Sequence, residues 1–222
     1  METIKIKVTE VNQVTHDTYM FKTTKPEGYK FEPGQATELS LLREGWKEEK
    51  RPFTFTSLPN QDFLEFVIKT YPSHDGVTEQ LSDVKVRDEF EIGEAWGAIN
   101  YKGEGTFLAG GAGVTPFISI LRDLKQKGKV GNNQLIFANK TEKDIILQDE
   151  LSDILNGNFI NILSDEDKQD YHHGLIDKEF IQEHVDDFDK KFYVCGPPEF
   201  NDAMNKDLKE LGANPDSLVF EG

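Results

Sequence analysis

Near Gly105 the apolar rhythm of this 222-residue chain changes period, and the change restricts what each side of it can fold into. Before it, Thr3-Ile4-Lys5-Ile6-Lys7-Val8 alternates polar and apolar residues. Thr18-Tyr19-Met20-Phe21-Lys22 does so less cleanly, and Thr37-Glu38-Leu39-Ser40-Leu41 and Phe63-Leu64-Glu65-Phe66-Val67-Ile68 continue the pattern. A period of two puts alternate side chains on opposite faces of a strand. Turn formers punctuate these runs at Pro26-Glu27-Gly28, Pro33-Gly34 and Leu58-Pro59-Asn60. One short helix is expected at 78–81, after Gly76. Many short strands so spaced form a sandwich or a barrel.

After residue 105 strands and helices take turns. Strands are expected at 106–110, 133–138, 159–163, 192–195 and 217–220, with helices at 116–127, 143–155, 178–184 and 198–211. Phe117, Ile120, Leu121 and Leu124 fall on one face of the first helix, and Ile146, Leu147, Leu151 and Ile154 on one face of the second. Such alternation predicts a mostly parallel open sheet with helices on both sides. Two domains are therefore expected, 1–102 and 103–222, without internal repeats or low-complexity tracts.

Composition removes several classes of function. Hydrophobic residues make up 36% of the chain, enough for a packed core. The single cysteine, Cys195, rules out an internal disulfide and a four-cysteine iron–sulfur cluster within the chain. With 25 basic and 41 acidic side chains, the net charge of −16 argues against nucleic acid or anionic membrane as partner. No apolar run reaches bilayer length, and Met1-Glu2-Thr3-Ile4-Lys5 lacks a secretory pattern, so a soluble cytoplasmic protein is expected. No metal site is expected.

The sharpest local signal is Gly110-Gly111-Ala112-Gly113-Val114-Thr115-Pro116, placed between a strand and a helix. Glycines allow a tight turn and close approach of a ligand to backbone, and exposed N–H groups at the helix start face an anion. Thr115 is a candidate cap and Pro116 suits the first helical position. An ordinary tight turn between strand and helix is the plain alternative. Tyr193-Val194-Cys195-Gly196-Pro197-Pro198 puts Cys195 at the carboxyl end of a strand, where open parallel sheets bind ligands. A buried small hydrophobe is the plain reading of Cys195.

In the first half, Arg51-Pro52-Phe53-Thr54-Phe55-Thr56-Ser57 puts a guanidinium before alternating rings and hydroxyls. Phe53 and Phe55 are expected on one face, Thr54 and Thr56 on the other. Arg51 suits a phosphate; a solvated arginine on a half-buried strand is the alternative. His74-Asp75-Gly76-Val77-Thr78-Glu79-Gln80-Leu81 reads as a loop leading into a short helix whose first N–H groups, with Thr78, suit a pyrophosphate. A capped turn without ligand is the alternative there.

These four pieces, in this order, resemble the ferredoxin–NADP reductase superfamily over almost the whole chain, in particular its cytochrome b5 reductase and bacterial flavodoxin or flavin reductase branches. The resemblance implies an N-terminal antiparallel flavin-binding β-barrel and a C-terminal α/β domain that binds a nicotinamide dinucleotide. It implies FAD, with FMN as the alternative, on Arg51, Pro52, Phe53 and Thr54, along Ile68, Lys69, Thr70 and Tyr71, and at Gly76, Val77 and Thr78. Thr54 would address the flavin N5 region. The family often has tyrosine where Phe53 stands. Its phosphate loop usually carries glycine three residues before the serine or threonine, where this chain has Asp75. The dinucleotide would lie on Gly111, Gly113, Val114, Thr115 and Pro116, at Asn139, and beside Cys195, Gly196 and Pro197, with Cys195 aligning the nicotinamide and Phe220 shielding the flavin. The segment Ala138-Asn139-Lys140-Thr141-Glu142-Lys143-Asp144 resembles the branch using NADH rather than NADPH. The implied activity is transfer of electrons from NAD(P)H through flavin to an acceptor such as flavodoxin, ferredoxin, a haem protein or free flavin. An electron-transfer subunit of a larger complex and a non-catalytic nucleotide sensor are the rival readings.

Overall fold

The computed structural model describes residues 3–71, 76–97, 99–214 and 218–220. Its packing divides the chain into two compact units, Met1–Gly97 and Ala98–Gly222. Residues 101–103 are tied to the second unit. The Tyr101 ring stacks on Tyr193, whose hydroxyl accepts from the Lys102 N–H (2.9 Å) and donates to the Gly103 carbonyl (2.6 Å).

The first unit contains β1 (Ile4–Thr15), β2 (Thr18–Thr24), β3 (Ala36–Leu41), β4 (Arg51–Thr54), β5 (Phe63–Lys69), α1 (Val77–Leu81) and β6 (Glu89–Trp96). The strands are ordered β4-β3-β6-β1-β2-β5 and every neighbouring pair is antiparallel. A bridge between Phe55 and Phe66 joins the two ends of that order, so the sheet closes on itself as a barrel. The alternation seen in sequence fills the interior: Ile6, Val8, Phe21, Leu39, Leu64, Phe66, Phe90 and Ile92 are buried in one cluster. Phe55 sits at its centre, stacked on Phe31 at 4.4 Å and tilted against Phe66 at 5.2 Å. Strand β6 was not anticipated, although Phe90 and Ile92 point inward and Glu89 outward as period two requires.

The second unit contains β7 (Gly105–Gly110), α2 (Thr115–Gln126), β8 (Gln134–Asn139), α3 (Gln148–Leu155), β9 (Phe159–Leu163), β10 (His172–His173), α4 (Lys178–His184), β11 (Lys191–Cys195), α5 (Pro198–Glu210) and β12 (Leu218–Phe220). All strands run parallel, in the order β10-β9-β8-β7-β11-β12. Each face of the sheet has its own core. Leu108, Ile136, Ile162 and Val194 pack against Ile181, Met204 and Leu208 of α4 and α5. On the other face Phe107 meets Phe117 of α2 edge-on at 5.0 Å. Helices α2 and α3 are joined by a two-bond Arg122–Glu150 pair and by Lys125–Asp153.

Three local expectations need correction. The helix expected at 143–155 begins only at Gln148. Residues Glu142–Asp144 form a separate 3-10 turn closed by a capping box, in which the Asp144 carboxylate accepts from the Thr141 N–H (3.0 Å) and hydroxyl (2.7 Å). Leu147 then takes a left-handed φ of 52°, which no helix interior tolerates. Thr115 does not cap α2 through its side chain; its hydroxyl donates to the Ala112 carbonyl at 3.0 Å. The alternation of rings and hydroxyls after Arg51 stops at Thr54, since Phe55 and Thr56 are both buried and Thr56 donates to the Glu65 carboxylate at 2.9 Å.

Candidate functional site

Arg51 opens β4, which ends the strand order of the sheet, and Pro52 stands opposite Glu38 of β3. Its guanidinium reaches the Lys50 carbonyl (2.7 Å) and Glu49 carboxylate (3.2 Å), with both side chains about half exposed. Arg51, Tyr71, Gly76, Val77 and Thr78 line one cleft of about 320 Å³. The structure thus gathers two separate sequence signals, the arginine and the start of α1, around a single space. Val77 is buried and Gly76 is extended at φ −121°, so Val77 anchors the start of α1. The other end of α1 is held by Arg43, which donates to the Asp83 carbonyl (3.0 Å), the Gln80 carbonyl (3.5 Å) and the Asp88 carboxylate (2.6 Å). Burial pushes the Asp88 carboxyl up, but the Lys85 N–H and Arg43 outweigh it and hold it below the usual range.

The remaining residues singled out in this half sit otherwise. Phe53 and Thr54 are half-buried on β4 and do not line the cleft. Ile68 lies in the barrel core. Thr70 is buried, and both its N–H (2.7 Å) and its hydroxyl (2.9 Å) donate to the Asp17 carbonyl. Lys69 is paired with the Asp17 carboxylate at 3.1 Å. Asp17, in the β1–β2 turn, therefore fixes the end of β5. Its only sequence signal was a polar hairpin turn. His74 and Asp75 lie outside the described residues.

In the second unit the candidates converge on the carboxyl ends of β7, β8 and β11, which are neighbours in the sheet. A 3-10 turn, Gly111–Val114, follows β7, and Val114 and Pro116 are buried beneath it. Gly111 has a φ of 52° with open space where a side chain would project. Gly113 is different. A Cβ there would collide with the Cys195 carbonyl and lie 2.7 Å from the Gly196 Cα. The glycine turn and the loop after β11 therefore touch backbone to backbone, a contact that only glycine permits. Cys195 is buried, and Pro197 is exposed as it leads into α5. The ring of Phe220, on β12, lies outside the described part of the structure.

Asn139 ends β8. It is 7% exposed, and neither its Oδ1 nor its Nδ2 has a protein partner. A buried unpaired amide carries a desolvation cost of about 1–3 kcal/mol, so such a group calls for an explanation, a bound ligand among them. Beyond Asn139 the backbone continues to pair with the end of β9, through Ser164 N–H to the Asn139 carbonyl and Asp165 N–H to the Lys140 carbonyl. The rim there is acidic. Glu142 accepts from Lys168 and from the Tyr171 hydroxyl (3.0 Å), and the Glu166 carboxylate accepts from the Glu142 N–H (2.8 Å). The Lys168 and Tyr171 bonds hold Glu142 below the usual carboxylate range.

Two families of known proteins together match most of the chain. An FAD-binding domain family covers residues 3–123, and an oxidoreductase NAD-binding domain family covers residues 107–206. The reductase component of propane 2-monooxygenase from Rhodococcus jostii (strain RHA1) is 25% identical over 239 residues, taking in 100% of this chain and 64% of that protein. NADH-cytochrome b5 reductase 1 from Aspergillus terreus (strain NIH 2624 / FGSC A1156) is 28% identical over 225 residues, 91% of this chain and 76% of its own length. The CS-b5R domains of human Ncb5or in the NAD+ form superimpose with a TM-score of 0.86 at 25% identity, covering 100% of this chain and 70% of theirs. The chain thus spans less than two thirds of the Rhodococcus protein. Among the described residues, no helix is long and apolar enough to cross a membrane.

Proposed function

Because this chain belongs to the ferredoxin–NADP reductase superfamily, with an FAD-binding and an NAD-binding domain, we propose that it carries electrons from NADH through FAD to a one-electron acceptor. The observation that carries the reading is the buried, unpartnered amide of Asn139 beside a glycine turn in backbone contact with the Cys195 loop. These residues fit a dinucleotide. Gly111–Thr115 would offer backbone N–H groups to a pyrophosphate, Asn139 a donor and an acceptor, and Cys195-Gly196-Pro197 would flank the nicotinamide. In the first unit, Arg51 and the backbone at Gly76–Thr78 fit the FAD phosphates, and Tyr71 gives the cleft an apolar wall.

FAD, when bound, supplies two-electron uptake and one-electron release. The protein's part is to hold and orient. Arg51 contributes fixed charge, Asp17 fixes the end of β5 that carries Lys69 and Thr70, and Arg43 fixes α1. Thr54 and Cys195 are assigned to the reacting ends of the two cofactors. The carboxylates of Glu142 and Glu166 favour NADH over NADPH, against the opposing pull of the exposed Lys140 and Lys143. A 2′-phosphate there would face carboxylates, and the nearby Lys168 is already engaged by Glu142. The acceptor is a separate redox protein, such as a haem protein or an oxygenase component, and the setting is cytoplasmic.

The test is anaerobic mixing of the FAD-loaded protein with NADH and with NADPH while the flavin absorbance is followed. Rapid bleaching by NADH and slower bleaching by NADPH is the expected result. A flavin that stays oxidised with both, or a protein that binds no FAD, refutes the proposal.

A further inference from the structure

We propose that Phe200 is a positioning residue that locks the glycine turn after β7 to the Cys195 loop after β11. The inference rests on the reading that these two loops hold the dinucleotide. It starts from why each glycine of the two loops is glycine. Gly111 needs its left-handed φ of 52°, and Gly113 lets backbone meet backbone at Cys195. Neither reason applies to Gly110 or Gly196. Gly110 is extended, at φ −113° and ψ 112°, and Gly196 has no positive φ, so any residue could adopt either backbone.

What crowds a side chain at both positions, severely at Gly196 and mildly at Gly110, is one ring. A Cβ on Gly196 would lie 2.5 Å from Phe200 Cδ1 and 3.0 Å from Cγ. A Cβ on Gly110 would lie 3.1 Å from Cγ and 3.2 Å from Cδ2 of the same ring. Strands β7 and β11 are adjacent, with Ala109 in register with Cys195, so the ring lies across the ends of both. Phe200 cannot easily retreat. It is the third residue of α5, which is anchored by buried Met204 and Leu208, and its ring packs on the core shared by Leu108 and Val194. Phe200 is itself half-buried, and the part of it packed on that core transmits displacement rather than absorbing it. Loss of the ring therefore frees both loops at once, and a side chain pushed against the ring drives both apart.

A double-mutant cycle on the FAD-loaded full chain tests this: Gly196→Ala, Phe200→Ala and the pair together. The readouts are NAD+ affinity by titration calorimetry, thermal unfolding, and stopped-flow flavin reduction by NADH. Gly196→Ala is expected to slow reduction by about tenfold or more and to weaken NAD+ binding, as a misplacement approaching 1 Å does. Phe200→Ala, which removes every ring atom that crowds the two glycines, is expected to lower the limiting reduction rate by about three- to tenfold while the half-saturating NADH concentration stays within about twofold, because orientation rather than contact is lost. The double variant is expected to recover at least about threefold in rate and in NAD+ affinity over Gly196→Ala, the mark of two residues in contact. Losses that simply multiply overturn the proposal, as does a Phe200→Ala protein indistinguishable from wild type. Gly110→Ala, whose clash is milder, runs the same cycle if Gly196→Ala does not fold, with the same expected and overturning outcomes. A Gly113→Ala protein that binds NAD+ normally refutes the nucleotide reading itself. If Gly113→Ala weakens NAD+ while the Phe200 cycle is multiplicative, only the role of Phe200 falls.

Discussion

Gly113→Ala is the substitution whose consequence can be worked most directly from the coordinates. Gly113 has no positive φ, so alanine fits its backbone and even restricts the unfolded chain favourably. The obstacle is elsewhere. The new methyl would stand 2.7 Å from the Gly196 Cα, where ordinary contact begins at 3.4 Å, and nearer still to the Cys195 carbonyl, so the loops must part by about 1 Å or more. Overpacking of that kind costs about 1–3 kcal/mol. For a protein of this size it corresponds to a fall in Tm of about 2–4 °C per kcal/mol. A 1 Å misplacement of reacting groups costs about 10²-fold, so a displacement of that size, part of it taken up within the loops, is expected to slow flavin reduction by about ten- to a hundredfold. The assay is stopped-flow reduction of the FAD-loaded protein by NADH, with scanning calorimetry on the same sample. Gly128→Ala, beyond the far end of α2, is the control. It meets open space and pays only the left-handed cost of about 1–2 kcal/mol, so its reduction rate should stay within a few-fold of wild type. A Gly113→Ala protein that reduces at the wild-type rate with unchanged Tm would refute the argument that these loops are set by backbone contact.

Three further outcomes are expected. Arg51→Ala should weaken FAD binding by about tenfold or more at low salt but leave riboflavin, which has no phosphate, unaffected; fluorescence titration of the apoprotein with both ligands decides it. Asn139→Leu removes a buried unpaired amide at nearly constant volume. It should leave the apoprotein as stable or more so by up to about 1–3 kcal/mol while weakening NAD+ binding, and a variant that loses stability and keeps affinity contradicts the role given to Asn139. Tyr193→Phe strands the Lys102 N–H and the Gly103 carbonyl and should cost about 1–3 kcal/mol in chemical denaturation. Burial pushes the Tyr193 hydroxyl from 10.0 up to about 12. Its contribution is therefore complete below pH 10 and lost as pH rises through that window, so the difference between wild type and variant should shrink there, and a constant difference would count against the assignment.

Much of the architecture could be read before the coordinates because burial in a sheet writes itself as period two. Ile6 and Val8, Leu39 and Leu41, and Leu64, Phe66 and Ile68 are inward residues of strands expected from alternation alone. Strand β6 carried the same pattern in Glu89-Phe90-Glu91-Ile92 and was available to the same reasoning. Strand β10 was not, since His172 and His173 are two exposed polar residues that pair only because β9 is beside them. The helix expected at 143–155 failed for a different reason. Ile146, Leu147, Leu151 and Ile154 have helical spacing, but spacing does not register the competing capping box of Thr141 and Asp144 or the reversal at Leu147.

The candidate site divides along the same line, between what a residue dictates locally and what its neighbours dictate. Gly111 announces itself, because a left-handed turn between strand and helix is a local demand that one residue meets. Gly113, Gly110 and Gly196 do not. Their reasons are a carbonyl at Cys195 and a ring at Phe200, some eighty residues away in the chain or on another element. Glycine spacing in the sequence therefore marks a nucleotide loop without saying what each glycine makes room for. Asn139 shows the converse. A polar residue at the end of an apolar strand reads as a surface position, and only the coordinates reveal that it is buried with both amide atoms unpaired. Ser40, Asn100, Asn161, Asn201 and Asn205 each leave one buried atom unpaired, whereas Asn139 leaves both, and it does so beside the glycine turn, which makes it the residue at which a ligand test is sharpest.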